Sequence, residues 1–148
     1  MADLTRIKGN NFVIIGRAGM DFYPDPPGTK TEEASQFFAA LGGSSANIGV
    51  AINRHGGRSA LVTCVSDDAI GRYCLNQLDH YGIERNHVRS VGGEARNSLA
   101  VVESRTEDHQ SIIYRNGAAD FEMGIEDVEP VDYAAYSALI TTGTVLAA

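Results

Sequence analysis

Residues 12–16 have the sequence Phe-Val-Ile-Ile-Gly, a short apolar run that ends at a glycine. The run is rich in β-branched residues and does not alternate with polar ones, which is typical of a strand buried on both faces. Residues 61–65, Leu-Val-Thr-Cys-Val, predict a second strand of this kind. Because such strands are characteristic of parallel sheets, the sequence predicts an α/β fold around a mostly parallel sheet.

Helix signals precede and follow the second strand. A serine of the pair Ser44–Ser45 can cap a helix that begins after Gly42–Gly43 and stops at residues 55–57, His-Gly-Gly. Asp67 or Asp68 can cap another helix over residues 70–80, where apolar side chains recur at helical spacing. The order strand, helix, strand, helix is typical of a doubly wound α/β sheet.

Two segments interrupt this order. Residues 21–28 contain three prolines, so we expect them to be extended or turning and to lie neither in a helix nor in a central strand. Residues 98–103 and 110–114 predict an antiparallel hairpin around the polar turn 105–108. Residues 138–143 predict a further central strand with nothing polar to terminate it, so we expect the chain to be the N-terminal part of a larger domain.

Composition bounds the class of protein. The 148 residues are 43% hydrophobic and 21% charged, which suits one soluble domain. We expect a cytoplasmic protein without a membrane partner, because no apolar run could span a bilayer and the N-terminus lacks a signal peptide. The net charge of -7 argues against a nucleic-acid partner. Cys64 and Cys74 are expected to be buried free thiols.

Arg17 and Asp21 are the first candidate site residues, because they follow the carboxyl end of the first predicted strand. Open α/β sheets place their ligands at this edge. A carboxylate there can accept two hydrogen bonds from a vicinal diol and so aim a reacting hydroxyl. The alternative is that Asp21 is an ordinary turn residue.

The next candidates are Gly42, Gly43 and Asn47, at the predicted N-terminus of the first helix. A glycine pair lets backbone approach a ligand, and the free N–H groups of a helix N-terminus favour polar or anionic partners. No lysine follows at the spacing of a P-loop. The alternative is a capped helix after a flexible loop.

Arg115 ends the second strand of the predicted hairpin, where its guanidinium could hold a carboxylate bidentately. The alternative is a solvated arginine on an edge strand. The four histidines lack ligand spacing, so we expect no metal site. The acidic run at residues 126–132 is expected to be a solvated face.

Residues 42–71 resemble the N-terminal signature of the ribokinase-like (PfkB) family of sugar kinases. They carry Gly42–Gly43, Ala46-Asn47, His55-Gly56 and Val65-Ser66-Asp67-Asp68 with Gly71. Within that family the chain is most similar to the 5-dehydro-2-deoxygluconokinases. The matching segments are residues 16–21, 114–120 and 143–147.

The resemblance implies a ribokinase-like three-layer sandwich with a central, mostly parallel sheet and a small β-stranded lid. Residues 1–148 would be the N-terminal part of a single kinase domain, with lid segments at about 22–41 and 96–116 and without the C-terminal nucleotide-binding part. In the family, the residues matched by Asp21, Gly42, Gly43 and Asn47 hold sugar hydroxyls. An arginine matched by Arg115 faces the carboxylate of sugar acids. Asn97 starts a lid strand at a position that could contact the sugar.

The implied function is an ATP-dependent kinase, with Mg²⁺, that phosphorylates a primary hydroxyl of a keto-sugar acid and dimerises through the lid. Alternatives are a fructokinase, a ribokinase, a 2-keto-3-deoxygluconate kinase, or a non-catalytic sugar-binding or dimerisation module. Family members carry a late Gly-Ala-Gly-Asp motif that supplies the catalytic base, and this sequence has none. We therefore assign no catalytic residue and expect the base and the ATP site to lie beyond residue 148.

Overall fold

The computed structural model describes Ile7 and residues 9–143. The described residues form two four-stranded sheets and three α-helices: β1 (Asn11–Ile15), β2 (Gly19–Asp25), β3 (Gln36–Gly42), α1 (Ser44–Arg54), β4 (Arg58–Ser66), α2 (Ala69–His80), β5 (Glu84–Val91), β6 (Leu99–Val102), β7 (Ser111–Tyr114), α3 (Ile125–Val128) and β8 (Ala138–Thr141). Of the segment 143–147 noted above, only Gly143 lies within the described residues.

The central sheet is parallel and has the order β5-β4-β1-β8. In register, Ile14 of β1 lies between Leu61 of β4 and Ile140 of β8. Ile14 and Leu61 are fully buried. The two buried strands and the parallel sheet predicted from residues 12–16 and 61–65 are confirmed.

Both faces of the central sheet are covered, which gives three layers. On one face, Ala46 of α1 and Cys74 and Leu78 of α2 pack against Ile14 and Leu61. The other face carries Val13, Ile15, Ala60 and Val62, which pack against Val131, Met123, Val128 and Tyr136. Removal of this apolar surface from water is the main stabilising contribution to such a core. Cys64 and Cys74 are buried free thiols, as predicted.

The helix starts differ in part from expectation. The carboxylate of Asp68 accepts hydrogen bonds from the backbone N–H groups of Ile70 (2.9 Å) and Gly71 (3.0 Å), so the predicted cap of α2 is confirmed. The serine cap predicted for α1 is wrong. Gly43 precedes α1 with a φ of +93°, a conformation that favours glycine, and no side chain caps this helix.

The second sheet has the order β3-β2-β6-β7 and lies outside the three layers. The predicted hairpin is confirmed, because β6 and β7 pair antiparallel. Residues 20–22 of β2 pair parallel with residues 99–101 of β6, which joins the proline-containing segment and the hairpin in one sheet. Pro24 lies within β2, contrary to expectation, but beyond this ladder, where β2 pairs only with β3.

In the described residues β8 pairs only with β1, and Leu139 is half-exposed. One other expectation needs correction. The acidic run 126–132 is not simply a solvated face. Val131 is buried in it, and Asp127 forms an ion pair with Arg89 of β5 at 2.6 Å. No helix in the described residues is long and apolar enough to cross a membrane.

Four chain segments connect the two sheets, and we call their meeting point the junction: residues 16–18, 42–43, 96–98 and 117–118. Backbone hydrogen bonds hold these segments together. The N–H of Ala46 donates to the carbonyl of Arg17 (3.3 Å), and that of Met20 donates to the carbonyl of Ser98 (3.1 Å). Because residues 16–18 follow β1, the junction lies at the carboxyl end of the central strand.

Candidate functional site

Asp21 enters the site from β2, three residues after the junction. Its carboxylate lies against Gly42 of the neighbouring strand β3, and a Cβ at Gly42 would overlap the carboxylate oxygens. Gly42 thus provides the space that the carboxylate fills. Sequence reasoning linked these two residues only through the family resemblance. The strand register places Asp21 opposite Ala40, so Gly42 is its diagonal neighbour on the same face of the sheet.

Gly43 brings the start of α1 against the end of β1. A Cβ at Gly43 would overlap the carbonyl oxygen of Arg17, which itself accepts the hydrogen bond from Ala46. The carbonyl of Gly43 accepts the N–H of Asn47 (3.0 Å) in the first turn of the helix. Asn47 is exposed there.

The environment of Asp21 perturbs its ionisation. Partial burial raises the pKa of Asp21 above its ordinary value, and the nearby charge of Arg17 and a hydrogen bond with Tyr23 only partly offset this effect. Tyr23 was missed by sequence reasoning. Its position two residues further along a strand, hence on the same face, was a usable signal. Among the described residues, the buried Nε of Arg17 has no hydrogen-bond partner.

Arg115 follows β7 and is held by protein groups. Its Nε and one terminal nitrogen donate to Oδ2 of Asp120 at 3.0 and 2.6 Å, and its guanidinium stacks over the ring of Phe121 at 4.2 Å. The side chain is only 21% exposed, so the alternative of a solvated edge-strand arginine is wrong. Asp120 ends the matching segment 114–120, but the sequence predicts no role for it.

Asn97 lies in the junction, is 8% exposed and is surrounded by protein partners. Its amide nitrogen donates to the carbonyl of Ala18 and to the Sγ of Cys74, both at 3.1 Å. Its side-chain oxygen accepts the backbone N–H of Ser66 at 2.8 Å. The amide is therefore engaged with the turn after β1, the end of β4 and α2.

Six of the seven predicted site residues come together around the junction: Arg17, Asp21, Gly42, Gly43, Asn47 and Asn97. Arg115 lies further away, since β7 is two strands from β2, roughly 10 Å across the sheet. One further contact was not foreseen. The hydroxyl of Ser45 lies 3.1 Å from that of Thr142, which links the start of α1 to the end of β8.

Other features of the described residues add no second site. Two open cavities of about 470 and 540 Å³ lie at the far end of the second sheet, lined by loop residues that include Lys30, Arg105 and Asp108. Their acidic and basic side chains are mixed, so they select no class of ligand. Within the part of the chain that the structure describes, no three histidine, cysteine, aspartate or glutamate side chains cluster to hold a cation.

Comparison with known proteins places these observations in context. Residues 10–147 match the model of the pfkB family carbohydrate kinases. The chain is 37% identical over 134 residues to a 5-dehydro-2-deoxygluconokinase of Photobacterium profundum, which is 90% of this chain and 40% of that protein. A 5-dehydro-2-deoxygluconokinase of Clostridium beijerinckii is 31% identical over 138 residues, which is 93% of this chain and 41% of that protein. The chain therefore spans about two fifths of the length of these curated relatives.

Solved structures show the same fold. The crystal structure of a PfkB protein from Polaromonas sp. JS666 superposes with a TM-score of 0.74 at 23% identity, over 86% of this chain and 42% of that one. A 2-dehydro-3-deoxygluconokinase from Thermotoga maritima superposes with a TM-score of 0.70 at 21% identity, over 79% of this chain and 36% of that one. The ribokinase-like α/β fold predicted from the sequence is confirmed.

Proposed function

Because this chain belongs to the pfkB family of carbohydrate kinases, we propose that it forms the sugar-binding part of an ATP-dependent kinase for a keto-sugar acid of the 5-dehydro-2-deoxygluconate type. The observation that carries the proposal is the Asp21 carboxylate, fitted against Gly42 beside the start of α1. The names of the curated relatives support the choice of substrate class.

Asp21 binds two hydroxyl groups of the sugar in this proposal. An ionised carboxylate only accepts hydrogen bonds, so it orients hydroxyl hydrogens toward itself and fixes the sugar ring or chain. Arg17 supplies a complementary donor, because its buried Nε lacks a partner in the described residues. Asn47 and the backbone around Gly43 contact further hydroxyls. Such positioning lowers the barrier by holding the attacking hydroxyl in place.

Arg115 distinguishes sugar acids from neutral sugars. Asp120 and Phe121 hold its guanidinium in one orientation at the end of β7, which reduces the entropy lost when it meets a substrate carboxylate. The second sheet acts as a lid. Its face that carries Asp21 also carries Phe38 and Ile113, which are 67% and 54% exposed and would be covered by ligand or by a second subunit.

The nucleotide binds elsewhere in this proposal. ATP supplies the phosphoryl group, and a crystal structure of a fructokinase from Xylella fastidiosa, at 24% identity, contains bound ATP. Since the sequence has no Gly-Ala-Gly-Asp motif, we place ATP, Mg²⁺ and the catalytic base outside residues 1–148. The kinase would act in the cytoplasm, as a homodimer joined through the lid.

A phosphoryl-transfer screen tests the function. The full-length protein is incubated with ATP and Mg²⁺ and with 5-dehydro-2-deoxygluconate, 2-dehydro-3-deoxygluconate, fructose or ribose, and ADP release is measured. We expect the highest kcat/KM for 5-dehydro-2-deoxygluconate and no turnover by a polypeptide of residues 1–148 alone. Higher kcat/KM for a neutral sugar would favour a fructokinase or ribokinase. Turnover by residues 1–148 would contradict the placement of the base and the ATP site.

A further inference from the structure

Asn97 connects both sheets through one buried side chain. Its amide nitrogen donates to the carbonyl of Ala18, in the link from β1 to β2, and its oxygen accepts the N–H of Ser66 at the end of β4. Asparagine carries a donor and an acceptor on separate atoms, so it can satisfy a carbonyl and an N–H on opposite sides. Both backbone groups are thus paired away from water, where unpaired groups would be destabilising.

The residue held by Asn97 lies between two residues of the proposed sugar site. Ala18 follows Arg17 and precedes Asp21 by three positions, and it is itself buried. The link from β1 to β2 contains only residues 16–18, so a shift of the Ala18 carbonyl moves both neighbours. The hydrogen bond from Ser66 anchors Asn97 to the central sheet, because Ser66 ends β4, an inner strand of that sheet.

We propose that Asn97 is a positioning residue, which holds the Arg17–Asp21 segment, and with it the angle of the second sheet, in the arrangement that binds sugar. This inference rests on the proposed function. Asn97 acts through Ala18 and does not contact the sugar itself, which revises the direct contact expected from its place at the start of a lid strand. It sets sugar affinity without contributing to nucleotide binding.

The chain offers a matched control in Asn53 of α1. Asn53 also joins two segments with three hydrogen bonds, since it donates to the carbonyls of Tyr81 (3.0 Å) and Gly82 (2.7 Å) and accepts from the hydroxyl of Ser59 (2.9 Å). It packs between α1 and the end of α2, away from the junction. Asn53→Ser therefore removes a comparable set of contacts without touching Ala18.

The experiment compares Asn97→Ser with Asn53→Ser in the full-length protein. Affinities for 5-dehydro-2-deoxygluconate and for ATP are measured by calorimetry, and amide hydrogen exchange is followed by mass spectrometry. We expect Asn97→Ser to weaken sugar binding about tenfold, the loss of roughly two hydrogen bonds, with ATP affinity unchanged. Exchange should accelerate in residues 17–22. Asn53→Ser should leave sugar affinity within about twofold and accelerate exchange near residues 79–83.

The proposal is overturned if Asn97→Ser weakens sugar binding no more than Asn53→Ser, or if exchange in residues 17–22 does not change. If Asn97→Ser does not fold, Asn97→Thr, which retains one donor and one acceptor, replaces it with the same expectations. Failure of the wild-type protein to bind any of the tested sugars would overturn the proposed function instead. In that case the exchange of residues 17–22 alone decides whether Asn97 holds this segment.

Discussion

The ionised carboxylate of Asp21, in the candidate site, lowers the stability of the folded protein. Its pKa is raised in the folded protein because partial burial disfavours the charged carboxylate. The folded state therefore binds the proton more tightly than the unfolded state, and ionisation of Asp21 at neutral pH opposes folding. A group that is retained at such a disadvantage is typical of binding and catalytic sites.

Replacement Asp21→Asn should stabilise the protein at neutral pH. The change removes the unfavourable charge and leaves an oxygen that can still accept the hydrogen bond from Tyr23. Because the raised pKa favours folding at low pH, the gain should shrink as pH falls through the pKa of Asp21. Urea unfolding at neutral and acidic pH measures this difference. A variant less stable than wild type at neutral pH would contradict the assigned effect of burial.

Asp21 and Arg115 should differ in the substrates that they affect. Loss of hydrogen bonds to a charged group lowers kcat/KM roughly 10- to 150-fold. Asp21→Ala should impair neutral sugars and sugar acids alike, whereas Arg115→Ala should impair only sugar acids. Steady-state kinetics of the full-length protein with fructose and 5-dehydro-2-deoxygluconate measures both effects.

Arg89→Ala is the matched control for Arg115→Ala. Arg89 also pairs with a carboxylate, that of Asp127 at 2.6 Å, but lies on β5 away from the site. The Arg89→Ala variant should leave the ratio of kcat/KM between 5-dehydro-2-deoxygluconate and fructose unchanged. Equal losses for both sugars in Arg115→Ala would mean that the arginine holds the second sheet together and does not recognise a carboxylate.

At the scale of elements, the sequence predicted those whose patterns are local. The buried strands β1 and β4, the helices α1 and α2 and the hairpin β6–β7 have apolar runs, caps or polar turns that identify them. Strand β5 was missed because Glu84–Val91 lies at a sheet edge and carries mainly polar residues. The placement of β8 depends on pairing with a strand more than a hundred residues earlier, which no local pattern reveals.

The site was predictable to a similar extent. Arg17, Asp21, Gly42, Gly43 and Asn47 follow from their positions at strand and helix ends, together with the family resemblance. The partners Tyr23 and Asp120 and the inward orientation of Asn97 depend on which face of a strand or turn is buried. That choice is made by tertiary packing and not by the neighbouring residues.

The short helix α3 depends on one ion pair. Hydrogen bonds from Arg89, and a further one from the N–H of Gly124, lower the pKa of Asp127 to about 2. A folded-state pKa below the ordinary value of 3.8 adds stability above that value, and this stability is lost as pH falls from about 4 to about 2. Asp127→Asn should reduce the free energy of unfolding by about 2 kcal/mol at neutral pH. Denaturant unfolding should show that the difference in free energy of unfolding between wild type and Asp127→Asn becomes smaller as pH falls through this range.

Asp79→Asn is the control for this ion pair. Asp79 and Arg85 are also separated by 2.6 Å, but the Asp79 side chain is 52% exposed, against 6% for Asp127. Exposed ion pairs contribute little to stability because water screens them, so this variant should change the free energy of unfolding little. If both variants had the same effect, the attachment of α3 would not depend on the burial of its carboxylate.

At the scale of the whole molecule, the second sheet should respond to sugar as one unit. Its two hairpins share the ladder between β2 and β6, so closure over a ligand must move both. In the full-length protein, sugar should slow hydrogen exchange in residues 22–41 and 96–116 together and leave β4 unchanged. Protection confined to one of the two segments would contradict a common lid.

The same sheet should mediate dimerisation. Phe38 and Ile113 are exposed on the face that carries Asp21, and sheets that leave such surface uncovered tend to associate. Sedimentation of the full-length protein should show a dimer that Phe38→Ser weakens. A strictly monomeric wild-type protein would remove the dimer from the proposal.

The junction also determines how this protein can be recombined with its relatives. Because the connections between the two sheets meet there, residues 19–42 and 97–115 form an exchangeable cassette. A chimera that receives both segments from one donor keeps the pairing of residues 20–22 with 99–101. A chimera that receives only one would have to match strands from two parents at that ladder. The two segments are therefore expected to be exchangeable only as a pair.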